Sequence, residues 1–183
     1  MAAPLTIGNV TVMPGEVKRG GIPIGGDMVN RERQIPILVY RGVEDGPILW
    51  LNGATHGDEP EGPFSIFKAL AQIDTKKLRG TVVAVPVMNV QAFTAGLRGD
   101  PLDTFAHDMN RIYPGKADGY PTERVAYAHW LAMKDNCDLQ IAIHSGGEHS
   151  YLAHMIFASD NKPSLELAAA CLLYTSPTPR DRQ

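Results

Sequence analysis

Pro47-Ile48-Leu49-Trp50-Leu51-Asn52-Gly53-Ala54-Thr55-His56-Gly57-Asp58-Glu59 is the stretch on which the fold of this chain turns. Its first part is an apolar run short enough for a buried strand and too short for an ordinary helix. Gly53 and Gly57 then relieve the backbone as it leaves that strand. A helix is predicted over residues 60–73, with Pro60 or Pro63 in its first turn, where a missing N–H costs nothing because those donors have no intrahelical partner. Phe64, Phe67, Leu70 and Ala71 keep helical spacing through it. Residues 80–89 are nearly all apolar, as suits a strand covered on both faces. Strand, helix and strand at these lengths form a βαβ unit. The predicted fold class is therefore α/β, with a mixed, largely parallel sheet flanked by helices.

Toward the N-terminus, the first 45 residues carry β-leaning runs at 5–12 and 35–40, and Gly20-Gly21 and Pro36 would interrupt any helix there. They read as a small β lead-in that pairs onto the sheet edge. Toward the C-terminus, residues 90–120 show no periodicity and are dense in Gly, Asp, Arg and Pro. Loops of that length within a domain are usually functional. A second helix follows over residues 122–134, with Thr122 as its N-cap. A third strand over residues 139–143 ends at His144-Ser145-Gly146-Gly147, residues 151–158 read as a further strand, and a helix begins at residue 164. One α/β domain is expected over residues 1–170.

With 183 residues, 44% hydrophobic and 20% charged, the chain has the composition of a globular protein with room for one sizeable core. A net charge of −3 without any Lys/Arg block argues against a nucleic-acid partner. Apolar runs such as residues 82–87 are too short to span a bilayer, and Met1-Ala2-Ala3-Pro4 lacks the features of a secretory signal. No membrane partner and a cytoplasmic location are the resulting expectations. Cys137 and Cys171 build no disulfide framework and no CxxC pair, so any metal must be held by histidine and carboxylate.

His56 and Glu59, three residues apart on a turn leaving a buried strand, can aim an imidazole and a carboxylate at one ion. These are two of the three protein ligands of a catalytic zinc, which keeps its fourth position open. His144 also lies just beyond a strand's carboxyl end, where ligands of open α/β sheets gather, so the two histidines can share a metal. The long loop supplies Arg98, Asn110 and Arg111, planar multi-donor groups suited to a carboxylate. An arginine can also face a developing oxyanion without titrating.

In order along the chain stand Gly53-x-x-His56-Gly57-Asp58-Glu59, Asn89-x-x-Ala92-Phe93, Arg98, Asp108-Met109-Asn110-Arg111-x-x-Pro114-Gly115, Thr122-Glu123-Arg124 and Ile141-Ala142-Ile143-His144-Ser145-Gly146. Over residues 36–147 this set resembles the succinylglutamate desuccinylase/aspartoacylase family, relatives of the zinc carboxypeptidases. The resemblance implies a zinc-carboxypeptidase-like fold and one Zn2+ per chain on His56, Glu59 and His144. It implies that Arg98 polarises the scissile carbonyl and that Asn110 with Arg111 grips a substrate carboxylate. The implied reaction is zinc-dependent removal of an acyl group from a small N-acyl amino acid. Met109 stands where leucine is usual, Ile143 where Asp-Leu often precedes the histidine, and Val90 where proline is common. Residues 35–61 look more like the branch that includes N-acetyl-diaminobutyrate deacetylases than like aspartoacylase proper.

The family's general base is a glutamate on a later strand, and neither Glu148 nor Glu166 matches its position. Residues 171–183 resemble the translation of a sequencing-library adapter, so they are expected to be a non-native read-through tail on a natural protein that continues past Ala170. Two alternatives stand beside the deacylase: a zinc carboxypeptidase acting on peptides, and an inactive metal-binding fragment lacking the catalytic glutamate. Assembly into a homo-oligomer is left open.

Overall fold

Alternating apolar residues at Leu5, Ile7, Val10 and Val12 fold back as an antiparallel ribbon, β1 (Leu5–Ile7) and β2 (Val10–Val12). The lead-in continues as β3 (Val17–Gly26) and β4 (Glu32–Arg41), antiparallel, with Gly21 opposite Pro36. Proline lacks the ladder donor, and Pro36 sits where β4 is paired on one side only, since pairing with the next strand inward starts at Leu38. The apolar run of residues 48–51 is the inner part of β5 (Glu44–Asn52), followed by α1 (Glu61–Leu70) and β6 (Arg79–Val85). Further along lie α2 (Val90–Ala95), a 3-10 turn at Met109–Arg111, α3 (Pro121–Met133) and β7 (Leu139–Ala142).

The computed structural model describes residues 3–26, 31–103, 108–148, 155–171 and 174–177, in two compact units, Met1–Glu148 and His149–Gln183. In the first unit the sheet order is β3-β4-β6-β5-β7. β5 runs parallel to β6 and β7, and β4 runs antiparallel to β6. The sheet is mixed, as the βαβ reading with its β lead-in requires. In the second unit, β8 (Met155–Ala158), α4 (Lys162–Ala170) and β9 (Tyr174–Pro177) form a parallel strand pair joined by a helix. Residues 151–154 of the expected strand and residues 172–173 and 178–183 of the expected tail lie outside the described residues. No helix among the described residues is long and apolar enough to cross a membrane.

The period of two along β6 divides the core. Val83 and Val85 join Trp50, Ile35, Ile37, Val125 and Ala126 on one face, while Val82 and Ala84 join Leu51, Ile66 and Leu70 of α1 on the other. Burial on both faces explains the unbroken apolar sequence. β6 nevertheless stops at Val85, and the rest of the expected strand becomes the lead-in to α2, where Asn89 caps the helix by accepting the Ala92 N–H at 3.2 Å. Thr122 is not the cap of α3. Tyr120 holds that position, Pro121 takes the first helical place that suits its fixed φ, and Glu123 reaches back to the Tyr120 N–H at 2.9 Å. Thr122 is instead fully buried, its N–H donated to Asp103 at 3.3 Å.

His129 of α3 is also fully buried, edge-on to Trp50 at 5.3 Å and bonded through Nδ1 to the Tyr113 hydroxyl at 3.0 Å. Burial pushes its pKa from 6.5 down to about 4. Between those values the unfolded chain takes up a proton that the folded one refuses, so this contribution to stability is whole above pH 6.5 and is lost as pH falls to 4. The loss should reach about 3 kcal/mol. Denaturant unfolding of the wild type and His129→Gln across that range should show the variant's acid limb flatter by that amount.

Candidate metal centre

The first site residues leave β5 on a loop stitched to the end of β6: the N–H groups of Met88 and Asn89 donate to the carbonyls of Gly53 and Ala54, each at 3.0 Å. Ala54 holds φ +43°, a left-handed conformation rare for a residue with a side chain. Such strain persists where the surroundings dictate it, and functional sites are where it collects. The turn then brings Glu59 back over His56, with the Glu59 N–H on the His56 carbonyl at 3.3 Å. β7 lies beside β5, and its pairing runs on to Ile143, whose N–H donates to the Asn52 carbonyl at 2.8 Å. His144 therefore leaves the sheet next to the strand that delivers His56.

The three side chains converge. Glu59 sits between two imidazoles, Oε1 at 2.9 Å from His56 Nδ1 and Oε2 at 2.8 Å from His144 Nδ1. The Ser145 N–H adds a third bond to Oε2 at 3.3 Å. The offered ligand atoms all lie within 4.8 Å of one another. His56 and Glu59 are buried, at 3% and 1% exposure, while His144 is half-buried. Asp108 Oδ1 meets His56 Nε2 at 2.9 Å, and Arg98 Nη2 donates to Asp108 Oδ2 at 2.8 Å while its Nη1 stands 3.7 Å from Glu59.

Charge follows from these contacts. Burial alone would raise the Glu59 pKa, but bonds from His144 and His56 outweigh it and hold the carboxyl far below the usual carboxylate range. Burial likewise opposes ionisation of Asp108, yet His56, Arg98 and the Asn110 N–H bring it to about 2. Burial pulls His56 down, and its bonds to Glu59 and Asp108 reverse the sign and raise it. Both His56 nitrogens face carboxylate oxygens, the arrangement of an imidazolium or of an imidazole whose Nδ1 lone pair meets a cation beside Glu59. Two imidazoles, one ionised carboxylate and a carboxylate behind one ring are a donor set that fits a tetrahedral metal.

Arg98 lies at the rim of this cluster, half exposed. Asn110 and Arg111 share the 3-10 turn with Met109, which is buried in the core. Both polar residues are exposed, and their described bonds are local: Asn110 N–H to Asp108 and Arg111 Nη1 to the Asn110 carbonyl. The sequence reading missed Asp108. Its only signal was its place at the head of Asp108-Met109-Asn110-Arg111, and nothing local to that motif reveals an acceptor for a histidine 52 residues earlier.

The curated relative N-alpha-acetyl-L-2,4-diaminobutyric acid deacetylase of Halomonas elongata is 37% identical over 113 residues, covering 62% of this chain and 32% of the relative. Among solved structures, an aspartoacylase family protein from Mesorhizobium loti superposes with a TM-score of 0.78 at 24% identity, covering 94% of this chain and 55% of that one. A succinylglutamate desuccinylase from Silicibacter sp. TM1040 gives 0.69 at 29%, covering 92% and 50%. The chain thus spans about a third of the curated relative's length and about half of these two structures. The family profile described as the succinylglutamate desuccinylase/aspartoacylase catalytic domain matches residues 45–179, and to that family this chain belongs.

Proposed function

We propose that this chain carries the metal centre of a zinc-dependent amidohydrolase that removes an acyl group from an N-acyl amino acid. The convergence of His56, Glu59 and His144 within 4.8 Å is the observation that carries the reading. His56 and His144 through Nδ1 and Glu59 through its carboxylate would hold the zinc, whose chemistry when bound is to acidify water and polarise an amide carbonyl. With Asp108 accepting a hydrogen bond from His56 Nε2–H, the ring would offer its Nδ1 lone pair to the bound zinc. Arg98, tethered to Asp108 with its guanidinium half exposed, supplies a permanent positive charge where an amide oxygen becomes negative. Asn110 and Arg111, exposed on the adjoining turn, present the donors for the substrate carboxylate. The name of the Halomonas relative, a deacetylase of an N-acetylated diamino acid, supports deacylation over peptide cleavage.

Zinc content and calorimetric binding of N-acetyl amino acids and of a short peptide test this reading. The wild type should hold about one zinc per chain, as a three-ligand site does, and His144→Ala should hold none. Arg98→Ala should keep its zinc, and in an active preparation its kcat should fall roughly 10²–10³-fold. A zinc-loaded chain that binds the peptide and ignores every N-acyl amino acid would overturn the deacylase.

A further inference from the structure

The turn that carries Asp108, Asn110 and Arg111 is pinned at its far end by a contact the chemistry above does not use. Tyr113 follows Arg111 by two residues, and its hydroxyl reaches inward to His129 Nδ1 at 3.0 Å while the residue as a whole stays 39% exposed. His129 is 0% exposed and crosses Tyr113 edge-on, with ring centroids 5.9 Å apart and planes at 83°. Trp50, which also meets the imidazole edge-on, is itself fixed by its indole N–H on the Asn136 carbonyl at 2.6 Å. The chain then runs directly onto α3: a Cβ at Gly115 would stand 2.1 Å from the Glu123 carbonyl oxygen, and the Lys116 N–H donates to that oxygen at 3.2 Å.

Among the described residues His129 Nε2, which is buried, has no hydrogen-bond partner. A leucine or phenylalanine would fill the same core position without an orphaned nitrogen, so packing alone does not account for an imidazole there. What the imidazole alone supplies is a polar atom for the Tyr113 hydroxyl. At its near end the same turn is held by Asp108 on His56 and Arg98. Between the two anchors lie only Met109, buried in the core, the exposed Asn110 and Arg111, and Ile112 packed against that core.

We infer that Tyr113 and His129 form a positioning pair that sets Asn110 and Arg111 in register with the metal centre for a substrate carboxylate. The inference rests on the carboxylate-binding role proposed above, and its test separates the two. Tyr113→Phe removes one oxygen from a partly exposed residue and should leave the fold intact. Residue-resolved amide exchange on the metal-free variant should show the Arg111 and Ile112 N–H groups, which are bonded to the carbonyls of Asp108 and Met109, exchanging at least about tenfold faster. The β6 amides should be unchanged. On the zinc-loaded variant, an N-acetyl amino acid should bind about tenfold more weakly, while its carboxamide, which lacks the gripped group, and zinc itself should bind as in the wild type. Unchanged exchange at Arg111 and Ile112, or acceleration shared equally by β6, would overturn the positioning pair. Equal weakening of acid and amide would do the same. A wild type that does not prefer the acid over the amide would instead remove the role of Asn110 and Arg111, while the exchange result still stands for the pair.

Discussion

Glu59→Gln should leave the chain folded and unable to retain a metal ion. The carboxylate is 1% exposed and accepts from three groups, His56 Nδ1 at 2.9 Å, His144 Nδ1 at 2.8 Å and the Ser145 N–H at 3.3 Å. An amide keeps the shape and loses the charge, and only one of its two ends can accept. The metal would lose the only carboxylate among its three candidate ligands. Replacing an outer partner of a metal-bound histidine already costs roughly 10–100-fold in affinity, so losing a direct ligand should cost more than about 100-fold. After dialysis the variant should carry essentially no zinc by elemental analysis. The metal-free variant should also be less stable than the metal-free wild type by about 1–3 kcal/mol, the cost of unpairing buried polar groups. Full metal retention would show that the ion, if held here, rests on the imidazoles and another group, and Asp108, already on His56 at 2.9 Å, would become that group.

The elements that position this centre were legible where burial is two-sided or the period is long. β5 and β6 announced themselves because each is covered on both faces, and α1 was legible as a helix, but of the face read from Phe64, Phe67 and Leu70 only Leu70 is buried: Phe64 and Phe67 are 73% and 51% exposed, and Ile66 packs inward in their place. α2 was not legible, since six residues make too short a sample for any period, and its start is set by the Asn89 side chain. Thr122 was misread as a cap because threonine caps in isolation, whereas Pro121 one place earlier fits the first helical position and shifts the helix start. The order β3-β4-β6-β5-β7 is a matter of contacts between distant residues that no local pattern encodes. The same holds within the site. His56, Glu59 and His144 could be proposed together because each follows a readable strand, and β7 does lie beside β5. Asp108 and the Tyr113–His129 bond depend on where an aperiodic loop settles, which is decided by Met109 in the core and by α3 beneath it.

Gly57→Ala should disrupt the centre as severely as removing a ligand, although Gly57 offers no ligand atom. A Cβ at this position would stand 2.0 Å from the Ala92 carbonyl carbon, 2.2 Å from the Phe93 nitrogen and 2.3 Å from the Ala92 oxygen. All three are backbone atoms of α2, so no rotamer change can relieve the overlap. α2 cannot slide away cheaply, because Ala92 is fully buried and its N–H is capped by Asn89, whose own N–H is tied to Ala54 at the base of the His56 turn. Either α2 moves and drags that turn, or the turn moves and separates His56 from Glu59. Overpacking of this kind costs 1–3 kcal/mol and more where only backbone can yield, so about 3 kcal/mol or above is expected. Displacing the ligands should weaken metal affinity by at least the roughly 10–100-fold that losing an outer partner of a ligand costs. Gly96→Ala is the control: nothing lies within 4 Å of its added Cβ, and its φ of +65° charges it only for backbone strain. It should lose about 1 kcal/mol and keep wild-type metal affinity. Denaturant midpoints at constant m-value together with calorimetric zinc titration read both quantities. A Gly57→Ala chain that binds zinc as tightly as the wild type would mean that α2 yields independently of the metal turn, and the contact between them would be packing alone.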